Sequence, residues 1–216
     1  MSMIIQQPSS IAEQLILLFH GVGANAHDMA PLGKRLASAF PAAFVVSVDG
    51  AHVSDLGTGR QWFSVRGVTE GNRPARVEAA MPGFQASVRH WQGVSKVGVQ
   101  DTLLVGFSQG AIMALETTQQ TQAVAGRVIA IAGRFAEPPR PAALKTRLHL
   151  IHGEQDAVIP AGYALDAASR LERLGSEVTK DLIPMLGHAI DSRVLERIIE
   201  RMRSWARSDI DHRQSM

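Results

Sequence analysis

The chain has 216 residues, of which 45% are apolar and 19% charged, a composition typical of one folded domain with a sizeable core. The formal net charge is only +2 and no block of Lys or Arg stands out, which argues against nucleic acid as a partner. The absence of cysteine excludes disulfides, cysteine-ligated metal sites and a cysteine nucleophile.

The first residues predict neither a signal peptide nor a membrane anchor. Residues 1–8 lack a basic segment followed by a long apolar stretch. The strongest apolar run, Leu15 to Phe19, is far too short to span a bilayer. We therefore expect a soluble, cytoplasmic protein without stable membrane insertion.

Apolar runs alternate with amphipathic stretches along the chain, which predicts βαβ units and a parallel sheet. Asp28 is the expected cap of the first helix, and Pro82-Gly83 predicts a kink or break in the second. The last predicted strand alternates in polarity as an edge strand does, and the polar residues 208–216 predict a frayed tail. The predicted strands are 15–19, 44–48, 103–105, 128–132, 148–151 and 178–183, and the predicted helices are 28–40, 77–91, 111–115, 162–174 and 195–202.

The segment 50–74 has five glycines and no clear period, which predicts a long loop over one face of the sheet. Within it, Trp62 and Phe63 are expected to be exposed and to form the wall of a substrate pocket. The alternative is a small hydrophobic cluster beneath the loop. Met185 is a further candidate for the pocket lining.

The segment Gly106-Phe107-Ser108-Gln109-Gly110 lies between a predicted strand and a predicted helix, the context of a nucleophile elbow. A side chain two residues before or after Ser108 would crowd the tight turn, and glycine removes that clash. Ser108 is therefore the candidate nucleophile.

Two later loops supply the partners that such a serine needs. His188 is the candidate base and Asp156 the candidate acid, and each follows a predicted strand. Because parallel strands end at the same edge of a sheet, the three side chains can meet there. The order Ser, Asp, His is that of α/β-hydrolases. Other carboxylates remain open as the acid, namely Glu154, Asp181 and Asp191.

Backbone amides are the expected donors to the oxyanion of the reaction. Gln109 follows the nucleophile at the start of its helix, and Val22 lies in the glycine-bearing loop after the first predicted strand. His20 is expected to order that loop through a hydrogen bond. His149 and His152 do not predict a metal site, because an odd separation on a strand points them to opposite faces.

These residues together resemble the phospholipase/carboxylesterase group of α/β-hydrolases, which includes acyl-protein thioesterases and small bacterial carboxylesterases. The matching pieces are 17–23, Trp62-Phe63, 106–110, 152–160 and 186–188. The resemblance implies an α/β-hydrolase fold, with a mostly parallel central sheet and helices on both faces. It also implies ester or thioester hydrolysis without a cofactor, often by a homodimer.

Two positions depart from the common pattern of that group, which often has Leu where Val22 stands and Asp where Ser64 stands. The expected function is a serine carboxylesterase acting on small esters of short- to medium-chain acids. An acyl-protein thioesterase or lysophospholipase is an alternative that keeps the mechanism. A non-catalytic binding protein of the same fold is the alternative from another class.

Overall fold

The computed structural model describes residues 1–140 and 146–214, with side chains described up to residue 208 of the last helix. Strands and helices alternate along most of the chain, as the sequence predicts. The strands are β1 (Met3–Gln6), β2 (Gln14–Phe19), β3 (Ala43–Val48), β4 (His52–Val53), β5 (Arg60–Gln61), β6 (Thr102–Phe107), β7 (Arg127–Ile131), β8 (Arg147–Gly153) and β9 (Val178–Ile183). The helices are α1 (Ala30–Ala39), α2 (Arg73–Ser95), α3 (Gln109–Thr117), α4 (Gly162–Arg173) and α5 (Ser192–Gln214).

Seven strands form one sheet in the order β1-β3-β2-β6-β7-β8-β9. All neighbouring pairs are parallel except β1 with β3, which run antiparallel. Strand β9 lies at one edge, which confirms the prediction for 178–183. The mostly parallel sheet of the predicted α/β-hydrolase fold is thus confirmed.

Helices cover both faces of this sheet, and the central strand β2 shows why. Its residues Leu15 to Phe19 are fully buried, so both faces of the strand need an apolar cover. Leu15 and Leu17 pack in the core layer that holds α2, α3 and α4, while Ile16 and Leu18 pack in the layer that holds α1 and α5. Each such fully buried side chain contributes about 1.5–3 kcal/mol.

The segment 50–74 is only in part the long loop predicted over one face of the sheet. It contains the small antiparallel sheet β4-β5, and its last two residues already belong to α2. Trp62 and Phe63 are each only 5% exposed. Two-residue strands are too short to produce a periodic pattern, so β4 and β5 could not be predicted from the sequence.

The helix ends and the strand β1 also differ from prediction. Asp28 does not cap α1, because the helix begins at Ala30; its carboxylate instead accepts the Asn25 N–H in the preceding turn at 2.8 Å. Helix α2 runs without interruption through Pro82. Strand β1 was not predicted, and the backbone of α5 continues through most of the predicted frayed tail.

Candidate active site

Ser108 stands at a sharp turn between β6 and α3, with φ of 53° and ψ of −115°. The turn brings the backbone of neighbouring segments very close to the two flanking glycines. A Cβ at Gly106 would lie 2.5 Å from Ala111 Cα, and one at Gly110 would lie 2.3 Å from the Phe19 carbonyl oxygen. The predicted need for glycine on both sides of the serine is confirmed. The non-glycine residue at positive φ stores backbone strain at the candidate nucleophile.

Three side chains form a continuous hydrogen-bonded chain at the carboxyl edge of the sheet. His188 Nε2 lies 2.9 Å from Ser108 Oγ, and His188 Nδ1 lies 2.7 Å from Asp156 Oδ2. An ionised carboxylate can only accept, so Nδ1 carries the proton. The lone pair of Nε2 then faces the serine hydroxyl, as a general base requires.

Asp156 is held in its ionised form by several donors. Its Oδ1 accepts the backbone N–H groups of Val158 and Ile159 at 2.8 and 2.9 Å. Burial alone would raise the pKa of Asp156, but the hydrogen bonds from His188, Ile159 and Val158 outweigh it, and its pKa lies below the ordinary value. The buried His152 lies 3.3 Å from Oδ2 and donates to the Ile159 carbonyl at 2.7 Å.

The other carboxylates that sequence reasoning left open lie elsewhere. Glu154 is exposed. Asp181 lies 3.1 Å from Nε2 of the buried His149, and Asp191 pairs with Arg193 at the start of α5. The structure therefore places Asp156, and none of these three rivals, against the imidazole of His188.

The two candidate oxyanion donors lie beside the serine. Val22 follows β2 and Gln109 opens α3, and both line the same cavity as Ser108. Among the described residues, neither backbone N–H donates to an acceptor. Amides at the start of a helix have no partner within the helix, so that of Gln109 is free to bind an anion.

His20 fixes the loop that carries Val22. Its Nδ1–H donates to the Gly21 carbonyl at 2.7 Å, and its Nε2 accepts the Gly50 N–H at 2.9 Å. Burial lowers the pKa of His20, which favours the neutral ring that this pattern needs. The predicted loop-ordering hydrogen bond is confirmed.

Gln109 makes two further contacts that the sequence analysis missed. Its side-chain Oε1 accepts the Trp62 N–H at 2.9 Å, and its Nε2 donates to the Phe63 carbonyl at 2.7 Å. The indole N–H of Trp62 in turn donates to the His20 carbonyl at 2.8 Å. The only sequence signal was a polar residue at the start of an otherwise apolar helix.

A cavity of about 310 Å³ opens next to the serine hydroxyl. Phe63 lines it, as predicted, whereas Trp62 lines two other cavities together with His52 and Ala80. Met185, predicted to line the pocket, is 75% exposed and is not part of this cavity wall. The wall also contains apolar and charged side chains, namely Val65, Val68, Ile112, Val158, Glu70, Arg73 and Arg134.

Comparison with known proteins identifies the family. The model of the Phospholipase/Carboxylesterase family matches residues 1–206. The chain belongs to this family. It is 49% identical over 200 residues to the esterase YpfH of Escherichia coli strain K12. The aligned region covers 93% of this chain and 86% of that esterase.

Solved structures agree with the family assignment. The chain resembles the esterase PE8 with a TM-score of 0.85 and 30% identity, over 92% of this chain and 96% of that one. It resembles a Bacillus cereus carboxylesterase with a TM-score of 0.79 and 18% identity, over 94% and 93% of the two chains, which shows the fold alone. As a member of the phospholipase/carboxylesterase family, the protein is a hydrolase with the α/β-hydrolase fold.

Ser64, which stands where the family often has Asp, takes part in a hydrogen-bonded turn beside the cavity. The hydroxyl of Ser64 donates to Asp55 Oδ2 at 2.6 Å, and the same oxygen accepts the N–H of Val65 at 2.9 Å. Asp55 thus fixes the segment that carries Phe63 to the cavity. Ser64 therefore organises the pocket wall from outside it.

The remaining histidines do not converge. His149 Nδ1 lies 2.9 Å from Thr179 Oγ1, and its ring meets Trp205 of α5 edge-on. His152 lies instead beside Asp156. Within residues 1–140 and 146–208, no group of three or more His, Asp or Glu side chains is arranged to hold a metal ion.

A membrane-spanning helix requires about 20 consecutive apolar residues. Among the described residues, no helix is both long and apolar enough to cross a bilayer.

Proposed function

We propose that the protein is a serine carboxylesterase that hydrolyses small esters of short- to medium-chain acids. The observation that carries this proposal is the hydrogen-bonded chain from Asp156 through His188 to Ser108. It lies beside two free backbone N–H groups and opens into a cavity. Acyl transfer needs a nucleophile, a base, an acid that orients the base, and donors to the oxyanion.

The reaction begins at the serine hydroxyl. His188 Nε2 takes the proton of Ser108 while Oγ forms a bond to the acyl carbon of the ester. The carbonyl oxygen becomes an oxyanion, which accepts hydrogen bonds from the backbone N–H groups of Val22 and Gln109. His188 then gives its proton to the leaving alkoxide oxygen as the bond to the acyl carbon breaks.

The acyl-enzyme is cleared by water along the same route in reverse. His188 takes a proton from the water as its oxygen bonds to the acyl carbon. It then returns a proton to Ser108 Oγ as the bond between Oγ and the acyl carbon breaks, which releases the carboxylic acid. Asp156 stays ionised throughout and stabilises the imidazolium that forms in each half-reaction. The lowered pKa of Asp156 supports this role, because the carboxylate remains charged at neutral pH.

The cavity volume supports small substrates over long-chain lipids. A volume of about 310 Å³ lies at the lower end of ordinary ligand pockets, which span roughly 300–1,000 Å³. The long acyl chain of a lysophospholipid or an acylated protein would extend beyond it. The thioesterase alternative uses the same mechanism and differs only in the leaving group.

A p-nitrophenyl ester series from acetate to palmitate tests the proposal. We expect kcat/KM to fall with chain length, and Ser108→Ala to lose about 10³-fold or more. Ser38→Ala, which removes an exposed serine on α1, is the matched control and should keep full activity.

A labelling experiment separates the esterase from a binding protein of the same fold. A fluorophosphonate should add its phosphonyl group to Ser108 in the wild type, as located by peptide mass spectrometry. An unreactive serine, or a Ser108→Ala variant with wild-type rates, would contradict the proposal.

A further inference from the structure

The lining of the cavity carries an excess of positive charge. Three charged side chains line it: Glu70, Arg73 and Arg134. Two guanidinium groups therefore face one carboxylate. The neighbouring lining is apolar, including Val68 and Ile112, so the charges act where water is partly excluded.

Arg134 is rigidly positioned for binding an anion. Its Nε donates to the Phe135 carbonyl at 3.1 Å, and its guanidinium lies 3.7 Å over the centre of the Tyr163 ring. Its two terminal nitrogens donate to the two carboxylate oxygens of Glu70 at 3.1 and 2.6 Å. This is the paired geometry in which arginine recognises a carboxylate.

Arg73 faces the same carboxylate from the first turn of α2. One of its terminal nitrogens donates to Glu70 Oε1 at 2.6 Å. Its other guanidinium nitrogens donate to no acceptor among the described residues, although the side chain is only 16% exposed. Arg73 thus keeps donors available to a molecule in the cavity.

Glu70 occupies the position between the two arginines from the solvent side. Its side chain is 64% exposed, and hydrogen bonds from Arg134 and Arg73 lower its pKa, so it remains a carboxylate. Only the glutamate of this group is exposed, whereas the Arg134 side chain is 10% exposed, so the two guanidinium groups need an anionic partner whenever Glu70 swings out into solvent. A carboxylate of a bound molecule can then take its place.

We infer that Arg73 and Arg134 form a subsite for an anionic group of the substrate. The preferred substrates are then small esters that carry a second, free carboxylate a few carbons from the ester carbonyl. This inference rests on the proposed esterase function of Ser108. The cavity holds about ten water-sized groups, at about 30 Å³ each, which suits a half-ester of a short dicarboxylic acid.

A pair of nearly isosteric ethyl esters tests the subsite. Monoethyl succinate carries a carboxylate where ethyl levulinate carries a neutral methyl ketone. Ethanol release by the wild type should give a kcat/KM for the succinate about tenfold or more above that for the levulinate, since charged hydrogen bonds dominate the difference. Added salt should reduce this ratio.

Three variants locate the preference. Arg73→Gln should bring the ratio of the two kcat/KM values close to one. Glu70→Gln removes the competing carboxylate from an exposed position and should raise the ratio severalfold. Arg66→Gln removes an exposed arginine outside the cavity wall and should leave the ratio unchanged.

The outcomes separate this inference from the function on which it rests. Equal hydrolysis of both esters by the wild type, or a ratio unmoved by both Arg73→Gln and Glu70→Gln, overturns the subsite and leaves the esterase standing. Hydrolysis of neither ester, nor of any p-nitrophenyl ester, overturns both.

Discussion

Gln109 holds the main chain of Trp62 through a buried hydrogen bond of 2.9 Å from the Trp62 N–H to its side-chain oxygen. The backbone N–H of the same glutamine is one of the two proposed oxyanion donors. The Trp62 indole continues the chain to the carbonyl of His20, in the loop that carries the second donor, Val22. A single series of hydrogen bonds therefore connects the two donors, and their spacing depends on Gln109.

Replacing Gln109 by alanine should weaken both the fold and the catalytic step. The change leaves the Trp62 N–H and the Phe63 carbonyl buried without their partner, at about 1–3 kcal/mol for each group. We expect a lower free energy of unfolding in urea and a kcat that falls by more than KM changes, because the oxyanion donors act mainly in the transition state.

The control for this variant is Gln85→Ala on α2, whose side-chain oxygen accepts a hydrogen bond from Arg89 at 3.1 Å. It should change neither the free energy of unfolding nor kcat. Gln109→Glu keeps an acceptor for Trp62 but places a buried carboxylate against the Phe63 carbonyl, so its stability should fall at least as far as that of Gln109→Ala. Wild-type stability and kcat in Gln109→Ala would contradict the linkage.

The meeting of Ser108, Asp156 and His188 could be predicted because it follows from sheet geometry. Ser108 follows β6 directly, and Asp156 and His188 lie three and five residues beyond the ends of the parallel strands β8 and β9, so the topology brings all three to one edge. The glycines of the elbow were predictable for a similarly local reason, since the clash that they avoid involves the turn itself.

The contact between Trp62 and Gln109 could not be predicted in this way. The two residues lie 47 positions apart, and no periodic pattern marks a side chain that bonds to a distant backbone. The predicted exposure of Trp62 was wrong for the same reason. Only the folded structure shows that Trp62 is hydrogen-bonded to Gln109 of α3 and to the His20 carbonyl, and that Met185 lies outside the cavity.

Asp156→Asn should abolish most of the activity while the protein stays folded. An asparagine can donate from its amide nitrogen, which would reverse the tautomer of His188 and point Nε2–H at Ser108. In a serine triad this costs about 10⁴-fold in kcat. The rate on p-nitrophenyl acetate checks the first part, and thermal unfolding with near-UV circular dichroism checks the second.

Two variants of the rival carboxylates accompany this experiment. Asp181→Asn changes a carboxylate that lies beside His149, and Glu154→Gln changes an exposed one near the triad. Both should keep kcat within about twofold, because the carboxylate that is hydrogen-bonded to His188 is that of Asp156. A larger loss in either variant than in Asp156→Asn would assign the acid to another residue.

Asp55 should remain ionised to unusually low pH. The hydroxyl of Ser64 and the N–H groups of Val65 and Arg66 donate to one of its oxygens. The hydrogen bond from Ser64 is the largest cause, and the pKa of Asp55 falls from 3.8 to about 2. Above pH 3.8 the folded and unfolded chains both carry this charge, so its stabilising contribution is fully present there.

Between pH 3.8 and about 2 the unfolded chain binds the proton of Asp55 and the folded chain does not, so the contribution is lost as the pH falls through this window. The difference in unfolding free energy between wild type and Asp55→Asn should therefore be constant at neutral pH and shrink across the window. A carboxyl titration followed by NMR should place the wild-type pKa near 2, and Ser64→Ala should raise it towards 3.8. A titration that is the same in Ser64→Ala would mean that the serine hydroxyl does not hold this carboxylate.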